Sequence, residues 1–174
     1  MKVVYFSHAG NTHRFVQERL MPALKATPYD WRDGAGFQPP MAHRITSSGP
    51  QRESNDFFKD HTGEKIVVVF PIYARGDYET GNVKDTVPAV MKQFIAANRE
   101  NIIAAVVSGN RTFGVKYGYV DPEELDGIPL IYAFELSGGR TDAMNVREIL
   151  RAASQNDTIT ETTTNPDYQP QETP

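Results

Sequence analysis

Val3-Val4-Tyr5-Phe6 are all β-branched or aromatic, and the run stops at Ser7-His8-Ala9-Gly10. A short apolar run bounded by a turn predicts a buried strand. The period then changes: Phe15, Val16, Leu20, Ala23 and Leu24 fall on one face of a helix that Thr12 can cap. The alternation repeats. Ile66-Val67-Val68-Val69-Phe70, ended by Pro71, predicts a second strand. Val87, Val90, Met91, Phe94 and Ile95 stand at i, i+3, i+4, i+7 and i+8 of a helix that Thr86 can cap. Ile102-Ile103-Ala104-Ala105-Val106-Val107 and Leu130-Ile131-Tyr132-Ala133-Phe134-Glu135-Leu136 predict further strands, closed by Ser108-Gly109-Asn110 and Ser137-Gly138-Gly139. A last helix is expected from Thr141, carrying Met144, Val146, Ile149 and Leu150. Near-continuous apolar strands alternating with helices predict an α/β fold, a doubly wound parallel sheet covered on both faces.

Residues 25–64 are too long for an ordinary connection. A doubly wound sheet needs another strand there, and Ala42-His43-Arg44-Ile45-Thr46-Ser47 is the best candidate. Residues 31–40, with Gly34, Gly36, Pro39 and Pro40, then form an inserted loop at about 25–40. Residues 154–174 hold six Thr, three Pro and four acids without one Lys or Arg. That composition predicts a disordered acidic tail after a single domain at 1–153.

The chain has 174 residues, enough for one self-sufficient core. It has no cysteine, which excludes disulfides, Fe–S clusters and thiol redox chemistry. Electron transfer would therefore need a bound cofactor. The net charge of −4 lies in the tail, so the body balances 18 acids against 18 Lys and Arg. A neutral body is poor at neutralising duplex phosphates, so no nucleic-acid partner is expected. No apolar run approaches a membrane span, and the N-terminal run is too short for a secretory core. No membrane association and a cytoplasmic address are expected. The four histidines lack metal-ligand spacing, and no metal site is expected.

In a parallel sheet the loops after the strand carboxyl ends share one edge, where ligands bind at the switch in strand order. The first such loop, Ser7-His8-Ala9-Gly10-Asn11-Thr12, has the chemistry of a phosphate cradle: two hydroxyls, an amide, and a glycine at a helix N-terminus. It lacks the Gly-Lys-Ser/Thr ending of a triphosphatase loop, so a phosphomonoester is the better match. The same residues also describe an ordinary turn capped by Thr12. The second loop, Pro71-Ile72-Tyr73-Ala74-Arg75-Gly76-Asp77-Tyr78, and the third, Ser108-Gly109-Asn110-Arg111-Thr112-Phe113-Gly114, add aromatics that can flank a flat ring, and glycines that admit close approach. Tyr73 and Phe113 are equally readable as core aromatics. Phosphate loop, ring walls and no cysteine together favour flavin mononucleotide (FMN) as cofactor.

Tyr5-Phe6-Ser7-His8-Ala9-Gly10-Asn11-Thr12-His13-Arg14-Phe15 resembles the opening of the NrdI family of flavodoxin-like proteins. Asn98-Arg99, the whole third loop, and Ile128-Pro129-Leu130-Ile131-Tyr132-Ala133-Phe134-Glu135-Leu136-Ser137-Gly138 are similar to its later signatures, and His43-Arg44-Ile45 to its second strand. The resemblance implies a five-stranded sheet of order 2-1-3-4-5 and noncovalent FMN. It implies as partner the NrdF-type small subunit of class Ib ribonucleotide reductase, with a flavodoxin reductase or similar electron donor. In that family the reduced flavin reacts with dioxygen, and a superoxide-level oxidant reaches a dimanganese site. Carried over by position, Ser7, His8, Ala9, Gly10, Asn11 and Thr12 would hold the phosphate. Pro71, Tyr73, Ala74, Arg75, Gly76, Asn82, Ser108, Gly109, Asn110, Phe113 and Gly114 would border the ring. The chain departs from the family at Ala74-Arg75-Gly76-Asp77-Tyr78-Glu79-Thr80-Gly81-Asn82, where relatives often carry a glycine-rich run and Gly76 is the remaining hinge.

A general electron-carrier flavodoxin and a non-redox phosphate-ligand or interaction module are the alternatives. The neutral body speaks against the first, since carriers are usually acidic on the docking face, and the ring walls against the second. No side chain is needed as general acid or base, so no catalytic residue is expected. Tyr78 and Arg111 are expected on the face that docks the reductase subunit.

Overall fold

The computed structural model describes residues 1–25, 41–45, 63, 65–72, 75–77, 82–84, 86–112 and 117–156. Five parallel strands form the main sheet: β1 (Lys2–Phe6), β2 (Met41–Ile45), β3 (Ile66–Pro71), β6 (Ile102–Gly109) and β7 (Leu130–Glu135). Their spatial order is β2-β1-β3-β6-β7, which is the expected 2-1-3-4-5 doubly wound, flavodoxin-like arrangement. A separate antiparallel hairpin, β4 (Arg75–Asp77) with β5 (Asn82–Lys84), was not expected from the sequence.

Successive side chains of a strand point to opposite faces, and here both faces are buried. Val3, Tyr5, Val67, Val69, Val106 and Phe134 pack under the first and last helices, while Val4, Phe6, Val68, Phe70 and Val107 pack on the other side. This is why β3 reads Ile-Val-Val-Val-Phe rather than alternating with polar residues. The register slips once between β3 and β6, where Ile66 faces Ile102 but Val67 faces Ala104. Ile103 is the extra residue, so Ile102 and Ala105 reach the same core although three positions apart.

The first helix begins as α1 (Asn11–Arg14), passes through a π-helical stretch (Phe15–Leu20) and continues as α2 (Met21–Lys25). At the exit of the wide turn, the Met21 N–H bonds the Val16 carbonyl, five residues back. That step shifts the phase of the buried face, so Phe15, Val16, Leu20, Met21 and Leu24 are all core residues. A strict 3.6-residue period omits Met21 for this reason.

Thr86 does not cap the next helix. The helix, α3 (Ala89–Asn98), starts after Pro88, which offers no side-chain cap. The buried Thr86 instead bonds Glu124, whose carboxylate also accepts the Thr86 N–H at 2.8 Å and the Val87 N–H at 3.1 Å and pairs with Lys92. Glu124 lies on α4 (Pro122–Leu125), capped by Asp121, whose side chain accepts the Glu123 N–H at 3.0 Å. The Asp-Pro-Glu-Glu-Leu segment thus forms a short helix of its own.

The last helix, α5 (Arg140–Asn156), begins one residue before Thr141 and buries Ala143, Val146 and Leu150, while Met144 is exposed. Residues 157–174 of the expected tail, and the expected insertion at 31–40, lie outside the described residues. No helix among the described residues is long and apolar enough to cross a membrane.

Burial alone would raise the Glu124 pKa, but the hydrogen bonds from Lys92, Thr86 and Val87 outweigh it and hold the carboxyl below its ordinary value. Its stabilisation is therefore complete above the unfolded carboxylate's pKa and is lost as pH falls through the depressed folded value. Glu124→Ala should destabilise the fold by about 2 kcal/mol near neutrality in urea titrations, because it strands buried donors. The difference from wild type should shrink in acid; a gap that stays constant down to the folded pKa would exclude this role.

Candidate functional site

The strand order turns between β1 and β3, so the crevice at their carboxyl ends is where an α/β sheet binds ligands. The loop from β1 opens directly into α1. Gly10 is the residue before the helix, at φ +87°, with open space where a Cβ would stand. The first helical bond runs from the Arg14 N–H to the Gly10 carbonyl at 2.9 Å. The N–H groups of Asn11, Thr12 and His13 precede that ladder and face the loop end of the helix. Thr12 therefore lies inside the helix as its second residue and is not its cap.

Two hydroxyls decide the character of this loop. Ser7 is 4% exposed and Thr12 is 1% exposed. Ser7 Oγ and Thr12 Oγ1 are both shut off from solvent and have no hydrogen-bond partner among the described residues. A buried polar atom left unmade costs about 1–3 kcal/mol, so such atoms are normally satisfied or await a ligand. Free hydroxyls beside unpaired helix N–H groups suit an oxyanion, and the residues present fit the phosphate of the expected cofactor. His8 and Ala9 are exposed at the rim, and Gly10 and Asn11 are half-buried. Next door, the exposed Arg44 of β2 donates from Nη2 to the Ser7 carbonyl at 3.1 Å.

The second loop leaves β3 at the half-buried Pro71, and the Ile72 N–H bonds the Ser108 carbonyl at 2.9 Å, tying this exit to β6. The backbones of Arg75, Gly76 and Asn82 belong to the hairpin, where Gly76 pairs with Val83 and Asp77 with Asn82. Gly76, expected as a hinge in an irregular loop, is thus part of a paired strand. Tyr73, Ala74 and Tyr78 lie outside the described residues.

In the third loop the side chains of Ser108 and Asn110 already have partners. Ser108 Oγ donates to the Leu136 carbonyl at 2.6 Å, and Asn110 Oδ1 accepts the Thr112 N–H at 2.9 Å and hydroxyl at 2.7 Å. Arg111 pairs with Glu135 at 3.4 Å and lies 5.5 Å over the Tyr117 ring. Burial pushes the Tyr117 hydroxyl up to about 12, against the opposing pull of Arg111. Phe113 and Gly114 lie outside the described residues.

Sequence reasoning missed two neighbours of this loop. Tyr117 folds back onto Gly109, and Leu136, exposed at φ +49°, donates its N–H to the Gly109 carbonyl at 2.8 Å. Neither leaves a signal in hydrophobic periodicity, because one is a ring laid against a glycine and the other a backbone hydrogen bond across the sheet edge.

Comparison with known proteins bears on the same residues. The family model described as NrdI Flavodoxin like matches residues 3–148. The chain belongs to the NrdI flavodoxin-like family. The protein NrdI of Mycobacterium sp. (strain KMS) is 32% identical over 153 residues, covering 83% of this chain and 84% of that protein. The NrdI of Bifidobacterium animalis subsp. lactis (strain AD011) is 32% identical over 86% of this chain and 92% of its own length. That of Citrobacter koseri is 30% identical over 84% and 89%. The NrdI match spans all three loops and every strand of the sheet.

A Cβ on Gly109 would lie 3.0 Å from both the Gly118 nitrogen and the Tyr117 ring. Gly109→Ala should therefore push the returning chain off β6 and cost about 1–3 kcal/mol in chemical denaturation. Wild-type stability in that variant would show that the contact is not tight in solution.

Proposed function

We propose that this chain is a cytoplasmic, FMN-binding activator of class Ib ribonucleotide reductase, supplying oxidant to the metal site of the small subunit. The observation that carries the reading is the pair of orphaned, buried hydroxyls, Ser7 Oγ and Thr12 Oγ1, at the N-terminus of α1 in a chain of the NrdI family. A flavin held there would supply one-electron chemistry and, in its reduced form, the reducing power to turn dioxygen into a superoxide-level oxidant.

The chain's own part is to bind, orient and shield. Ser7 and Thr12 donate to the phosphate together with the free N–H groups of the first helical turn. His8, Ala9, Gly10 and Asn11 shape the rim of the cradle. Pro71, Tyr73, Ala74, Arg75, Gly76 and Asn82 of the second loop, and Ser108, Gly109, Asn110, Phe113 and Gly114 of the third, would border the ring. Ser108 acts through its bond to Leu136, which fixes the edge beside β6, since its hydroxyl proton is already committed. Electrons arrive from a flavodoxin reductase or a similar donor. The body's balanced charge favours this role over a general carrier docking through an acidic face.

Thr12→Val separates binding from folding, because it removes a hydroxyl that has no partner in the ligand-free protein while keeping its volume. The ligand-free variant should be as stable as wild type or more stable by up to about 1 kcal/mol, while FMN affinity falls about tenfold or more. Thermal melts and flavin-fluorescence titration read the two effects. Undiminished FMN affinity would remove Thr12 from the cradle. For the function itself, FMN-loaded protein reduced anaerobically is mixed with dioxygen and a manganese-loaded class Ib small subunit, and reductase activity is followed. Activation only when flavin, reductant and dioxygen are all present is the expected result. No activation under any combination would overturn the reading.

A further inference from the structure

The phosphate cradle is built without a cation of its own: Ser7-His8-Ala9-Gly10-Asn11-Thr12 contains no Lys or Arg. A phosphomonoester is nearly dianionic at neutral pH, and neutral hydroxyls and amides leave that charge largely uncompensated. The neighbouring edge strand supplies one. Arg44 pairs with Tyr5 across the β1–β2 register, and Ala42, two residues earlier, packs against the core on the α1 side of the sheet. Ile45 packs on the opposite side, so the alternation places Arg44 on the face that carries α1, one residue from the carboxyl end of its strand. There its guanidinium donates to the Ser7 carbonyl at 3.1 Å.

We propose that Arg44 is the cationic positioning residue of the cradle, and that it makes the site select a terminal phosphate dianion, FMN over riboflavin. This rests on the FMN reading. Two effects act together. The bond to the Ser7 carbonyl holds the first peptide of the loop, and a planar trans peptide held at its oxygen has its N–H direction set as well. The guanidinium also brings a permanent positive charge, with further N–H groups to offer, to the Ser7 end of a loop whose Ser7 and Thr12 hydroxyls are buried without a partner among the described residues. Because Arg44 is exposed, its pull on the anion is screened by salt.

The test is equilibrium binding of FMN and of riboflavin to the full-length, flavin-free protein by fluorescence quenching, for wild type, Arg44→Gln and Arg44→Lys. Arg44→Gln should weaken FMN about five- to tenfold and leave riboflavin within about twofold, narrowing the ratio between the two ligands. Arg44→Lys should recover most of the loss. Raising salt should weaken FMN binding to wild type more steeply than to Arg44→Gln. Equal loss of both ligands would assign Arg44 to loop shape alone and overturn the proposal, as would unchanged FMN binding in Arg44→Gln. Should Arg44→Gln fail to fold, a wild-type FMN affinity indifferent to salt would overturn it, and a salt-dependent one that Arg44→Lys retains would support it. Failure of wild type to bind FMN at all would fall on the cofactor reading itself, and is told apart because it needs no variant.

Discussion

Burial of β1 and β3 on both faces is the constraint from which the rest of the molecule follows. Val3, Val4, Val67, Val68 and Val69 have no exposed surface, so neither face of the central sheet can be left to water. Each such side chain contributes about 1.5–3 kcal/mol on leaving water. Parallel strands cannot be joined by tight turns, so every connection must cross a face, and the helices that make the crossings supply the cover. The loops before those helices then all emerge at one edge, and the switch between β1 and β3 opens a crevice there.

At that edge, several polar groups among the described residues are satisfied by partners far away in sequence. Glu124 from α4 accepts the N–H groups ahead of α3, Ser108 donates to the turn after β7, and Arg44 reaches across from β2 to Ser7. Against that background the two unsatisfied hydroxyls of Ser7 and Thr12 stand out. A fold that provides partners for a buried glutamate has left two buried oxygens without any, side by side with the free end of a helix. The arrangement is costly in isolation and suits an anionic ligand.

The third loop shows the opposite economy. Asn110 bonds Thr112, Ser108 bonds Leu136, and Tyr117 lies against Gly109, so the side chains that look available in the sequence are used to hold the loop's own shape. What this edge offers a ligand is a shaped rim, in which Leu136 accepts a backbone conformation unusual for leucine because two hydrogen bonds hold it there.

Hydrophobic pattern by itself determined the class of fold and four of the five strands of the main sheet, because burial on two faces writes long apolar runs. β2 was legible only by the need for a strand within an overlong connection. The π-helical stretch, the hairpin at Arg75–Asp77 and the hold of Glu124 on Thr86 and Val87 ahead of α3 were not legible. A widened helical turn shifts phase without changing composition, three-residue strands are too short to show a period, and Thr86 reads as a cap whether or not a distant carboxylate holds it outside the helix. Only the tertiary structure decided that Thr12 sits inside its helix with its hydroxyl unused and that Arg44 lies beside Ser7. The first depends on the Gly10 turn starting the helix at Asn11, one residue ahead of Thr12. The second depends on which strands become neighbours, and a bond between strands carries no signature in the local sequence of either one.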